Sequence, residues 1–253
     1  MTLLRSVVIF LPAFKKSTRF QDDLVRKLSG VELVQRAITK SIGFCQSKAQ
    51  IHLLTDSDEV RIIGHRAGIS VHCVPDASWS VDGISKDMLG YIESVQNSKT
   101  IAVILSPYCP LIELETIHNA IKDLMVSDNH VLIPVFPQTS VLSDSNIKTI
   151  ENVLFGSSQE SYLTQSTAFT IFRPGVLIEN FTADVSVLPW IVGEDVFEIR
   201  SLQDWWVCEK LIERRRIVFQ VIGNNQVGMG HVYRALSLAQ EFTDHEVWFV
   251  TDP

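Results

Sequence analysis

The chain has 253 residues, 46% of them hydrophobic, with a formal net charge of −7, enough to bury a full α/β core and begin a second domain. Both signs of charge are mixed along it, which excludes a general nucleic-acid or membrane-surface role and makes any anion site a local one. Cys45, Cys73, Cys109 and Cys208 lie far apart without CxxC spacing and read as reduced residues of a cytoplasmic protein rather than as a metal site.

The first predicted element is a strand. Val7, Val8, Ile9, Phe10 and Leu11 form the continuous apolar run of a strand buried on both faces, and Pro12, lacking an N–H, ends it. The run is too short for a signal peptide or a membrane span. Beyond it, Lys15, Lys16 and Arg19 place three cations within five residues, with the Ser17 and Thr18 hydroxyls between them. Such a loop at the carboxyl end of a first strand is where open α/β sheets hold phosphates, and its composition suits a nucleotide triphosphate; the same residues also read as a solvated basic loop.

Apolar runs then alternate with helix-period segments, the rhythm of a three-layer α/β fold with a mostly parallel sheet. The pattern predicts a helix over 31–42 ended by Gly43 and a strand over 51–54. A capped, acidic helix start follows at Thr55-Asp56-Ser57-Asp58-Glu59, with a helix over 60–67 closed by Gly68. Next come a strand over 69–74, a polar loop over 76–83 carrying Trp79, a helix over 85–97 and a strand over 100–105. Further strands are predicted over 131–136 and 167–172, with a Ser- and Asn-rich span over 140–166 around the connection between them.

Three segments carry a family resemblance. Leu11-Pro12-Ala13 followed by Ser17-Thr18-Arg19 and Leu28-Ser29-Gly30 resembles the opening of the sugar-acid cytidylyltransferases, which charge CMP onto sialic acid, pseudaminic acid, KDO and similar 3-deoxy-2-keto acids. Phe14 stands where that family has an arginine, and Gln21-Asp22-Asp23 where it has Pro-Gly-Lys. Leu105-Ser106-Pro107-Tyr108-Cys109-Pro110-Leu111 is similar to the family's L-x-P-T-S-P-L-R turn, with Ser106, Tyr108, Cys109 and Ile112 replacing glutamine, threonine, serine and arginine. Thr55-Asp56 stands where the family has S-T-D. In the third segment the family has a late strand with a D-I-D pair; here it reads Phe197-Glu198-Ile199-Arg200. Strand alternation puts Glu198 and Arg200 on one face as an ion pair that opposes a metal ion.

The resemblance implies a Rossmann-like nucleotide-diphospho-sugar transferase (GT-A-like) architecture over residues 1–213, using CTP, a nonulosonic-type sugar acid and Mg²⁺. It implies Lys15, Lys16 and Arg19 on the phosphates, and Leu11, Ala13, Ser17, Thr18, Asp56, Ser106 and Tyr108 around nucleotide and substrate. Glu198 is left as the remaining metal ligand, with Glu194 and Asp195 as further oxygen donors nearby. It also implies a homodimer paired through an arm within residues 140–166. The altered positions equally suit a domain that binds a nucleotide or a partner without turnover.

At Glu213-Arg214-Arg215-Arg216 the organisation changes. A fresh strand over 217–222, a turn holding Gly228, Gly230 and His231, a helix over 232–242 and a strand over 247–250 make a half-Rossmann phosphate site in residues 214–253. Gly228, Gly230, His231 and Arg234 resemble the G-x-G-H-x-x-R opening of GT-B-like nucleotide-sugar hydrolases of pseudaminic acid synthesis. There the histidine is the proposed base that activates water. That resemblance implies the first βαβ unit of a second domain.

Overall fold

The computed structural model describes residues 7–15, 19–45, 47–74, 86–95, 100–141, 159–176, 185–222 and 229–251. The chain forms two compact units, Met1–Leu202 and Gln203–Pro253.

The first unit is built on a mixed, mostly parallel sheet. Strand β1 (Val7–Pro12) pairs in parallel with β4 (Ile51–Thr55) on one side and with β6 (Ile101–Leu105) on the other, and β5 (Ser70–Cys73) continues beyond β4. Past β6 lies β9 (Phe169–Phe172), antiparallel to both β6 and β7 (Val131–Val141), and β10 (Val187–Ile191) runs parallel to β7 at the far edge. Strand β8 (Gln159–Gln165) folds back antiparallel on β7. The order is therefore β10-β7-β9-β6-β1-β4-β5. The chain adds β4 and β5 to one side of β1, then crosses to add β6 on the other. In open α/β sheets the crevice outside the carboxyl ends of strands at such a reversal is the place for a ligand.

Local chemistry explains these strands. Every residue of β4 and β6 is buried, as is β1 from Val8 onward, as strands covered on both faces require. One face packs Val8, Phe10, Leu54, Ala102 and Ile104 with Ile92 of α3 (Lys86–Val95). The other meets α2 (Asp58–Ala67), where a Cβ on Gly64 would lie 2.6 Å from Leu53 Cδ2 and 2.7 Å from Val71 Cγ2, so the approach requires glycine. Helices α1 (Leu33–Phe44) and α4 (Leu114–Val126) share that layer, α1 packing on both α2 and α4.

The differences from the sequence reading have local causes. Lys27–Leu28 (β2) and Val31–Glu32 (β3) pair around Ser29 (φ 46°) and Gly30 (φ 83°), a tight hairpin whose two central residues are both left-handed, and this delays the start of α1 to Leu33. Gly43 does not end that helix: Leu114 Cδ1 packs 3.5 Å from where its Cβ would be, and the helix runs to Phe44, where the Cys45 N–H donates to Ser41 O. Residues 196–200 form no strand, and the Ile199 N–H donates to Tyr108 O at 2.9 Å. Helix α4 and strands β8 and β10 are additions to the predicted elements.

In the second unit β11 (Arg216–Val221) and β12 (Glu246–Thr251) pair in parallel, joined through α6 (Gly230–Ala239). Phe219 stacks on Phe249 at 5.3 Å, and Arg216 Nε pairs with Glu246 Oε2 at 3.2 Å. Helix α5 (Leu202–Glu213) opens at the junction of the two units. No helix among the described residues is long and apolar enough to cross a membrane.

Candidate functional site

The exit from β1 sits at the topological reversal. The Ala13 N–H donates to Leu54 O at 2.8 Å, which carries the chain past the sheet alongside β4. Phe14 then turns inward, 3% exposed, into the cluster of Phe10, Leu54 and Ile92. Lys15 turns outward. Its backbone N–H donates to Asp56 Oδ1 at 2.5 Å, and its ammonium lies 3.1 Å from Glu59 Oε2 and 3.8 Å from Asp22 Oδ1. The hydrogen bond and charge of Glu59, helped by Asp22, raise the Lys15 ammonium above its ordinary value.

Arg19 is the hub of the site. Its backbone N–H donates to Asp23 Oδ2 at 2.8 Å; its guanidinium donates to the Ile199 carbonyl and, at 2.5 Å, to Glu198 Oε1, and lies 4.3 Å from the Tyr108 ring centroid. The Tyr108 hydroxyl donates in turn to Asp23 Oδ2 at 3.0 Å. Asp23 is fully buried, and its Oδ1 has no hydrogen-bond partner. Burial pushes the Asp23 carboxyl up, against the bonds from Arg19 and Tyr108 that favour the charged form. Burial, then the neighbouring Asp23 charge, pushes the Tyr108 hydroxyl far above its ordinary value.

Glu198 closes the site from the other side. Its Oε1 accepts from Arg19 and from the Thr167 hydroxyl; its Oε2 accepts from Arg200 Nε at 3.2 Å and Nη2 at 2.9 Å. Burial alone would raise this carboxyl, but the Thr167 hydroxyl and the two arginines outweigh it and hold it below the usual carboxylate range. Burial pushes the Cys109 thiol, 2% exposed, far above its ordinary value. Lys40 Nζ donates to the carbonyls of Pro110, at 2.7 Å, and Ile112.

The structure brings Arg19, Tyr108 and Glu198 together and turns other expected residues elsewhere. Leu11 and Ala13 are fully buried at the carboxyl end of β1. Ser106 is buried, its N–H donating to Ala168 O at 2.8 Å and its Oγ accepting the Tyr108 N–H at 3.3 Å, so its polar atoms serve the turn. Asp56 receives the Lys15 backbone N–H. Lys16, Ser17 and Thr18, the loop with Trp79, and residues 142–158 of the expected arm lie outside the described residues. In the second unit Gly230 opens α6, and His231 and Arg234 are exposed on it; Gly228 lies outside the described residues. Sequence reasoning missed two members of the site. Asp23 was read only as a departure from a basic motif, and Thr167 only as the start of a strand.

A divalent ion held by carboxylates does not fit this centre. Mg²⁺ demands oxygen ligands in near-octahedral geometry, and both oxygens of Glu198 are already engaged, by two guanidinium groups and a hydroxyl. Asp195 Oδ2 instead accepts from Thr116 Oγ1 at 2.6 Å and from the Glu113 N–H at 3.4 Å, at the start of α4. Among the described residues no group of three or more His, Cys, Asp or Glu side chains is placed to hold a metal ion.

Solved structures share the fold. A CMP:2-keto-3-deoxy-manno-octonic acid synthetase complexed with CTP superposes with a TM-score of 0.61 and 12% identity, over 82% of this chain and 98% of the synthetase. A 4-diphosphocytidyl-2C-methyl-D-erythritol synthase from Anaerococcus prevotii does so with a TM-score of 0.59 and 13% identity, over 83% and 99%. No family model and no curated protein matches the sequence. At these identities the likeness establishes the α/β nucleotidyltransferase fold.

Proposed function

We propose that the first unit is a CTP-using nucleotidyltransferase domain that places CMP on a 3-deoxy-2-keto sugar acid. The observation that carries this reading is Arg19, a cation held by Tyr108 and Glu198 at the carboxyl ends of β1 and β6, where the fold puts a ligand. The anomeric hydroxyl oxygen of the sugar acid attacks the α-phosphorus of CTP, the bond to the pyrophosphate oxygen breaks in line, and the hydroxyl proton passes to solvent. Arg19 and Lys15 neutralise phosphate charge, released from Glu198 and Glu59 as the nucleotide arrives. The fold shared with two cytidylyl-transferring synthases supports the choice of nucleotide. The dimer expected from the sequence belongs to the same proposal, with the β7–β8 ladder as its arm.

A second reading, binding of a cytidine nucleotide without turnover, is favoured by Phe14 lying in the core and by the double arginine pairing of Glu198. Pyrophosphate release from CTP with a panel of nonulosonic acids separates the two. Turnover with one acid supports transfer. A CTP-dependent rise in melting temperature without turnover supports binding alone, and neither effect overturns both. For residues 214–253 the proposal is a nucleotide-sugar hydrolase-like βαβ unit, resting on a parallel strand pair and a helix that opens at Gly230-His231. Loss of UDP-sugar hydrolysis on His231→Ala tests it.

A further inference from the structure

We propose that the phosphate site at Glu198 is neutralised by guanidinium groups in place of a divalent cation, so that this domain takes up its phosphoanion ligand without metal. The inference rests on the nucleotide reading above and departs from the Mg²⁺ requirement that the resemblance implies.

Three observations carry it. Arg200 donates through both Nε and Nη2 to the one oxygen Oε2 of Glu198, while Arg19 takes Oε1, so that each carboxylate oxygen carries a charge-assisted bond. A cation that needed Glu198 would have to break both pairs and lie against two fixed positive charges. Second, the neighbouring carboxylates offer little more: Asp195 is held by Thr116 and the Glu113 N–H, and buried Asp23 gives Oδ2 to Arg19 and Tyr108, which leaves Oδ1 as one lone oxygen. Third, Lys40 fixes a further cation on the turn that carries Tyr108, donating to the carbonyls of Pro110 and Ile112. That added positive charge attracts a phosphoanion and repels Mg²⁺. Arginine clamps stabilise transferring phosphoryl groups in the same electrostatic sense as a metal ion, and Arg200, with its side chain 59% exposed, is placed to swing from Glu198 to an arriving phosphate.

The test is calorimetric titration of CTP and of inorganic pyrophosphate into the whole chain, in EDTA and in excess magnesium. The expected result is CTP binding in EDTA within about threefold of that in magnesium, and a loss of about tenfold or more in Arg200→Ala. Arg200→Asp, which sets a second carboxylate beside Glu198, should abolish binding in EDTA and restore it in magnesium. Wild-type binding that appears only in magnesium overturns this inference and leaves the nucleotide reading intact. Pyrophosphate binding without CTP binding, in EDTA, keeps the guanidinium site and overturns the nucleotide reading; heat from neither ligand overturns both.

Discussion

The guanidinium of Arg19 lies 4.3 Å over the ring of Tyr108, and the hydroxyl of that tyrosine donates to Asp23, the carboxylate that also accepts the Arg19 backbone N–H. The side chain and backbone of one cation are thus tied into one closed circuit, which fixes where its charge points. Asp23 depends on that circuit because it is fully buried.

Tyr108→Phe removes the hydroxyl and keeps the ring under Arg19. The buried Asp23 carboxyl loses a donor, so the expected loss is about 1–3 kcal/mol in urea unfolding. An unchanged unfolding midpoint would show that the hydroxyl adds nothing to Asp23.

Glu198→Gln has two effects of opposite value. It breaks a largely buried ion pair, costing on the order of 3 kcal/mol of stability. It also releases Arg19 and Arg200, so pyrophosphate should bind several-fold tighter than in the wild type. A carboxylate needed for binding would give the reverse, weaker affinity. The stability difference between wild type and variant should also depend on pH. The Glu198 carboxyl is held below its ordinary 4.5, so its contribution is full above that value and is lost as pH falls below it.

A histidine pair gives the fold a second acid sensitivity. His52 Nδ1 on β4 lies 3.3 Å from His72 Nε2 on β5 and 3.1 Å from the Tyr91 hydroxyl on α3, and its ring stacks on Phe10 of β1. Burial, then the His72 charge, lowers His52 from 6.5 to about 4, and burial lowers His72 in the same direction. The unfolded chain therefore takes up protons first as pH falls from 6.5 toward 4, and stability declines across that window by on the order of 1–3 kcal/mol. His52→Phe should flatten that decline in melting-temperature profiles; a slope equal to wild type would reject the assignment.

Restoring a cation at position 14 should fail. Phe14→Arg places an unpaired charge among Phe10, Leu54 and Ile92 and should unfold or aggregate the domain, whereas Phe14→Leu should cost about 1–2 kcal/mol by thermal melting. Normal stability of the arginine variant would show that Phe14 occupies a ligand cleft rather than the core.

Much of the sheet was legible in the sequence. The runs Val7–Leu11, Ile51–Leu54 and Ile101–Leu105 are apolar at every position, a pattern that a strand covered on both faces requires whatever surrounds it. Trp190 Nε1 of β10 donates to Asp123 Oδ2 of α4 at 2.9 Å, yet neither segment is among the predicted elements: Pro189 interrupts the short apolar run of β10, and α4 mixes polar and apolar residues. The Arg200–Glu198 pairing was also legible: strand alternation predicts it, and the pair forms although residues 196–200 make no strand.

By itself the sequence determined the three-layer α/β class and the cation-rich exit from β1, because apolar periodicity and residue type are local properties of the chain. Tertiary structure alone decided what each cation faces. Arg19 meets a carboxylate 179 positions away, Lys15 meets one 44 positions away, and Phe14, the residue before Lys15, enters the core. Packing fixes side-chain direction at a loop, where no period of the sequence records it, and at this site direction separates a free phosphate ligand from a cation already paired.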